Sequence, residues 1–268
     1  MRSWSELATD RTYDLSTIVG VLFDLDDTFL THGQLHAEVL ASLHALRTRG
    51  FRLVGVTGRP VGYAQVLLPT LGIDAIVAEN GSVGWRRKGR TFEAFDWTEQ
   101  AERARRKVRL DDLVEQIRSR VPDLGPTGDG NLRVSDRTWD IAEFVQADPS
   151  SVAELTTAIR DSGFRVFQSS VHVHATLDGW DKASGVLRFL QEEWGEDPTS
   201  ARGRYVYVGD STNDAACFYA FAVSVGVANV RAALPKLSVP PAFVTLDERG
   251  RGFIEVAETL CRRTPSPR

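Results

Sequence analysis

Residues 24–28 read Asp-Leu-Asp-Asp-Thr and follow directly on the apolar run Val19-Gly20-Val21-Leu22-Phe23. Three carboxylates so close together cannot stay ionised beside buried hydrocarbon unless a cation or hydrogen-bond donors offset their repulsion and desolvation. A metal ion is the economical counter-charge. In an extended chain Asp24 and Asp26 turn to one side while Leu25 points away, so the two carboxylates are expected to share one small site. A second acidic segment, Gly209-Asp210-Ser211-Thr212-Asn213-Asp214, closes another apolar run in the same way, with Asp214 one helical turn beyond Asp210. Between them lie Thr57-Gly58-Arg59-Pro60, where Pro60 suits the first residue of a helix. A helix start with a hydroxyl beside it offers free N–H groups to a phosphate. Lys182 heads a further helix and adds a cation. A magnesium ion needs few hard oxygen ligands, and with Lys182 to absorb phosphate charge an aspartate can attack phosphorus and form an aspartyl-phosphate. Taken singly, each segment has a blander reading: an acidic turn, an N-cap threonine, a surface lysine. Only their combination carries the chemistry.

The elements that must position these residues have the texture of an α/β protein. Strands are expected at 19–23, 51–56, 73–78 and 205–208, the first a continuous apolar run buried on both faces as in a parallel sheet covered by helices, the second apolar apart from Arg52 and the last likewise buried. Amphipathic helices are expected at 37–49, from Pro60 to about Thr70, and from Asp181 to about Trp194. Asp24, Thr57, Asn80 and Asp210 then stand at strand carboxyl ends, the crevice where such sheets bind ligands. Two more short strands, 222–227 and 242–245, and a helix at 252–260 complete this part. Residues 1–17 are expected as a short helix or loose arm on the surface.

From about 83 to 176 the pattern changes to an inserted α+β unit. A hairpin is expected over 83–95, a charged helix over 99–120, a strand over 139–145, a helix over 150–162, and strands at 164–168 and 171–176. The expected division is therefore 1–82 with 177–268 as a Rossmann-like core, and 83–176 as the insertion. His172 and His174 share a strand face at a spacing that suits a metal. With no third ligand nearby, a polar, partly exposed sheet face is the better reading.

Composition excludes several classes. A net charge of −4 over 268 residues provides no field for nucleic acid. Two cysteines, Cys217 and Cys261, cannot make a disulfide framework and suit a reducing compartment. No apolar run is long enough to span a bilayer, and the N-terminus lacks the pattern of a signal peptide, so the chain reads as soluble and cytoplasmic.

These segments, in this order, resemble the four motifs of the haloacid-dehalogenase-like phosphatase superfamily: Asp24-Leu25-Asp26-Asp27-Thr28, Thr57-Gly58-Arg59, Lys182, and Gly209 to Asp214. The resemblance implies that Asp24 is nucleophile and metal ligand, and that Asp26 is a general acid/base whose backbone oxygen also meets the metal. It implies Thr57 and Lys182 on the phosphate, with Gly58, Arg59 and Asn80 beside it, and Mg²⁺ held by Asp24, Asp26, Asp210 and Asp214, with Asn213 in support. Asp27 stands where many relatives have glycine, its side chain expected to point away from Asp26. The insertion is similar to the cap of the subfamily that holds the Cof-like, sucrose-phosphate and mannosyl-3-phosphoglycerate phosphatases, where Arg133 could meet an anionic substrate or equally make a structural salt bridge on the cap sheet. The implied activity is phosphatase action on small phosphorylated metabolites, sugar phosphates first, by a monomer or homodimer. A phosphomutase, or a non-catalytic metabolite-binding protein on the same scaffold, are the alternatives.

Overall fold

The computed structural model describes residues 1–9, 14–169 and 171–263. Among them are twelve strands: β1 (Arg2–Ser3), β2 (Gly20–Phe23), β3 (Arg52–Val56), β4 (Ala75–Ala78), β5 (Val83–Lys88), β6 (Thr91–Asp96), β7 (Asp136–Asp140), β8 (Arg165–Gln168), β9 (His172–Thr176), β10 (Tyr205–Gly209), β11 (Val223–Gly226) and β12 (Phe243–Val244). β2 is buried along its whole length, so it needs a partner on each edge and cover on each face. It has both. The large sheet runs β1-β12-β11-β10-β2-β3-β4-β5-β6, parallel from β1 through β4 and antiparallel beyond. Val21 and Phe23 pack on one face with residues of helices 37–48, 61–71 and 249–263, while Leu22 packs on the other with helix 182–194. This is the expected α/β fold with helices on both faces. The chain leaves β2 towards β3 and β4 on one side and returns to β10 on the other, which puts the topological switch point between β2 and β10.

Three expectations are corrected. The N-terminal segment does form a short helix, Trp4–Thr9, but it is packed in place and not a loose surface arm: β1 pairs with β12, and Trp4 is 1% exposed, its indole N–H donating to the Thr259 hydroxyl at 3.2 Å. Residues 10–13 of that expected arm lie outside the described residues. The hairpin β5–β6, placed by sequence in the insertion, extends the large sheet instead. Its Trp85, Phe92 and Phe95 pack on the two core clusters, and strand alternation alone could not say which sheet they would join. The strand expected at 139–145 is β7, which ends at Asp140. The Asp140 carboxylate accepts the N–H groups of Ala142, Glu143 and Phe144 and so turns the chain.

The insertion's own sheet is antiparallel, in the order β7-β9-β8. Trp139, Val173 and Ala175 pack on one side with Leu110, Leu113, Leu155 and Ile159 from helices 100–120 and 149–161. The opposite face of β9, His172, His174 and Thr176, is buried rather than partly exposed, because it is laid against the crevice of the large sheet. No helix among the described residues is long and apolar enough to cross a membrane.

Two glycines fix the approach of helix 182–194 to the turn after β4. A Cβ on Gly185 would lie 2.2 Å from the Gly81 carbonyl oxygen, and one on Gly81, at φ +107°, would lie 2.1 Å from the Asp181 carbonyl oxygen. Backbone cannot yield as a flexible side chain can. Gly185→Ala is therefore expected to destabilise the fold by about 1–3 kcal/mol, the usual cost of overpacking, measured by urea unfolding.

Candidate active site

Asp24 is the first residue beyond β2, and its N–H donates to the Val208 carbonyl at 2.9 Å, so pairing with β10 sets its backbone. Lys182 Nζ donates to Asp24 Oδ1 and to Asp214 Oδ1, each at 2.7 Å. Burial works against the lysine charge, but Asp214 and Asp24 more than offset it and hold the amine above the usual lysine value. The helix carrying it starts with reciprocal capping: Ser184 N–H donates to Asp181 Oδ1 at 2.8 Å, and Asp181 N–H donates to Ser184 Oγ at 2.9 Å.

Asp214 has both oxygens engaged. Oδ1 also accepts from the Tyr207 hydroxyl at 2.5 Å, and Oδ2 accepts the N–H groups of Asp210 and Ser211, both at 2.9 Å. It therefore shapes the loop after β10 more than it offers a free oxygen. Asp210 accepts from the Thr28 hydroxyl at 3.2 Å and from Asn229 Nδ2 at 2.9 Å. Carboxylate oxygens of Asp24, Asp210 and Asp214 lie within 4.8 Å of one another. Burial pushes the Asp24 carboxyl up against the pull of Lys182, and burial with the charges of Asp24 and Asp214 does the same to Asp210. Three carboxylates facing one ammonium leave negative charge in a dry pocket. Hard oxygen donors this close fit a divalent ion such as Mg²⁺.

Asp26 does not turn its side chain into this cluster. The strand stops at Phe23, and the chain enters a wide turn over Leu25–Phe29 in which simple alternation no longer holds. Its carboxylate is held in a fork by Arg59, whose Nη2 lies 2.8 Å and Nε 3.0 Å from its oxygens. Arg59 also donates to Glu143 of the insertion at 2.6 Å, and Glu143 faces His172 Nε2 at 2.9 Å. Burial alone would raise the Glu143 carboxyl, but His172 and Arg59 hold it down to about 2. Beside this bridge a cleft of about 380 Å³ is lined by Asp26, Asp27, Tyr63, Glu143 and Phe144 among others. Asp27 sits at φ 53°, a conformation glycine adopts freely, and its carboxylate takes the Arg249 Nε at 3.0 Å, away from Asp26 as expected.

Thr57 closes β3 fully buried, its Oγ1 accepting the Arg59 N–H at 3.0 Å. Asn80 lies alongside, its N–H on the Thr57 carbonyl and its Oδ1 accepting from Asn213 Nδ2 at 3.1 Å. Arg133 is a different matter. Its guanidinium, fully buried, donates to both oxygens of Asp129, to Asp136 at 3.0 Å and to the Gly58 carbonyl at 3.0 Å. The side chain has no exposed surface and four of its five N–H groups are taken, so the salt-bridge reading stands and the substrate contact is corrected: Arg133 is a strut between insertion and crevice. Arg133→Leu is expected to cost about 3–5 kcal/mol in urea unfolding, because it strands buried Asp136.

Sequence reasoning missed Glu79, Glu143, Tyr207 and Asn229. Glu79, 2% exposed, accepts the N–H groups of Val61 and Ser135 at 3.0 and 2.6 Å and so joins core to insertion. An acidic residue inside the Glu79-Asn80-Gly81 turn was its only sequence signal. Glu143 fell within a segment read as strand, and nothing local marks Tyr207 or Asn229.

The family model for haloacid dehalogenase-like hydrolases matches residues 21–94. Among solved structures the chain is similar to a Thermoplasma acidophilum protein, with 19% identity over 91% of this chain and 98% of that one and a TM-score of 0.69. It is similar to the sucrose-phosphatase of Synechocystis sp., solved with sucrose and phosphate, with 20% identity over 91% and 98% and a TM-score of 0.63. The C-terminal domain of trehalose-6-phosphate phosphatase from C. albicans aligns over 97% of both chains, with 14% identity and a TM-score of 0.70. At these identities the likeness is one of fold. No curated protein matches in sequence.

Proposed function

We propose that this chain, a member of the haloacid dehalogenase-like hydrolases, is a Mg²⁺-dependent phosphatase of small phosphorylated metabolites, sugar phosphates first among them. One observation carries the reading: Lys182 Nζ stands 2.7 Å from both Asp24 and Asp214 in the crevice at the switch point, a cation beside a buried nucleophile. Two neighbours of the same fold carry phosphatase names that refer to sugar phosphates, which supports the substrate class.

In this reading an Asp24 oxygen attacks phosphorus and forms an aspartyl-phosphate as the bond from phosphorus to the ester oxygen breaks. Lys182, the Thr57 hydroxyl and the N–H groups behind it receive the phosphoryl charge. Asp26, parted from Arg59 and protonated from solvent, gives that proton to the departing oxygen and then takes one from the water that attacks the phosphoenzyme, which returns it to its acid form. Inorganic phosphate leaves and Asp24 is restored. Asp24, Asp210 and the Asp26 backbone would hold Mg²⁺, with Asp214 behind them. The ion, when bound, neutralises phosphate charge.

The test is a panel of phosphorylated metabolites incubated with the purified protein, with Mg²⁺ and with a chelator, measuring both free phosphate and isomerised ester. Metal-dependent release of free phosphate is expected. Isomerised ester in its place would make the chain a mutase, and no turnover of any ester would remove the reading.

A further inference from the structure

Three residues other than glycine take the left-handed backbone conformation where the first acidic turn meets the last helix: Asp27 at φ 53°, His32 at φ 51° and Arg249 at φ 51°. A side chain in that conformation costs free energy and persists only where its contacts over-determine it. Such contacts are present. Asp27 Oδ1 accepts the His32 N–H at 3.2 Å and the Arg249 Nε–H at 3.0 Å, and Arg249 Nη1 is steadied by Glu248 at 2.6 Å. The Arg249 backbone N–H donates to Asn229 Oδ1 at 2.9 Å. Asn229 Nδ2 in turn donates to the Asp27 carbonyl at 3.0 Å and to Asp210 Oδ2 at 2.9 Å. The ring closes on itself and ties the turn after β2 to Asp210.

Asp26, at φ −75° and ψ 128°, and Asp27, at φ 53° and ψ 14°, are the two central residues of a type II turn. That type requires positive φ at its second central residue, where glycine or asparagine is usual, so an aspartate there needs a tether. Arg249 supplies it. The commoner type I turn differs in ψ of the first central residue and φ of the second, which amounts to turning over the peptide between them. That peptide carries the Asp26 carbonyl, the oxygen that would meet Mg²⁺.

We propose that Arg249 is a positioning residue for the metal site: by holding Asp27 it keeps the Asp26 carbonyl turned one way and, through Asn229, in register with Asp210. This rests on reading Asp24, Asp210 and the Asp26 backbone as the ligands of the ion. The sign of the effect separates positioning from charge. An arginine close to the site repels a cation, so through space alone its loss would tighten Mg²⁺ binding. Loss of positioning weakens it.

The experiment measures Mg²⁺ affinity by titration calorimetry on the full chain, with phosphate and esters absent. Arg249→Ala is expected to weaken Mg²⁺ about tenfold, the lower end of what removing a partner behind a metal ligand costs. Arg249→Gln, which keeps most of the side chain's bulk, is expected to act in the same direction. In Asp27→Gly the turn is held by glycine itself, so adding Arg249→Ala to that variant is expected to cost less than about threefold. A role in folding alone would not be rescued in this way, and a urea transition in chelator shows that each variant is folded. Mg²⁺ affinity unchanged or raised in both Arg249 variants overturns the inference. Equal weakening with and without Asp27→Gly overturns it too, since Arg249 would then not act through Asp27. In either case the metal reading stands, because wild-type protein binds the ion. A wild-type chain that binds no Mg²⁺ overturns the metal reading, and this inference with it.

Discussion

Asp24→Asn is expected to abolish turnover, by well over the roughly 10²–10⁴-fold that loss of an acid/base helper costs. The amide is a far poorer nucleophile, and it removes one charge from the cluster of Asp24, Asp210 and Asp214. Steady-state phosphate release and phosphoenzyme trapping are the measurements, and near-normal turnover in the variant would exclude Asp24 as nucleophile. Stability should move the other way. Burial raises the folded-state pKa of Asp24 above its unfolded value. A raised carboxyl contributes stability below the unfolded pKa and loses it as pH rises through the folded one. Chelator-treated wild-type protein should therefore melt at progressively lower temperature as pH climbs above the ordinary carboxylate range. Asp24→Asn should flatten that dependence while keeping or raising the melting temperature. A variant that was inactive and also markedly less stable would point to misfolding instead.

Asp26→Asn is expected to slow a sugar phosphate by about 10²–10⁴-fold and an aryl phosphate much less, when phosphoenzyme formation is followed in single turnover. A sugar alkoxide is a strong base that leaves poorly unless protonated, whereas a nitrophenolate leaves unaided. The geometry sharpens this test. The Asp26 side chain stands with Arg59 and outside the buried acidic cluster, so it is placed for proton delivery, although its charge is also felt by Asp24. Equal slowing of both leaving groups would withdraw the acid role. Steady-state rates alone could not decide, since the same carboxylate is expected to activate the water in the second step.

The sequence alone determined the fold class and the residues that end its strands. Gly20–Phe23, Arg52–Val56 and Tyr205–Gly209 are apolar enough to be buried on both faces, and that pattern implies a parallel sheet with a crevice at its carboxyl edge. Asp24, Thr57 and Asp210 were legible because a polar residue directly after such a strand has one place to go. Lys182 was legible only through its order among them. What tertiary structure decided is where side chains turn once a strand has ended. Asp26 is two residues from Asp24 yet faces Arg59, since the turn at Leu25–Phe29 obeys no two-residue period. Arg133 read as a substrate contact or a salt bridge, and His174 as part of a polar, partly exposed strand face. The structure buries both against Gly58, 75 residues from Arg133 in sequence, where Arg133 is spent on struts and His174 turns its Nδ1 to Asp136. Periodicity reports which face of an element is apolar, and it is silent on what a polar face meets when a second layer closes over it.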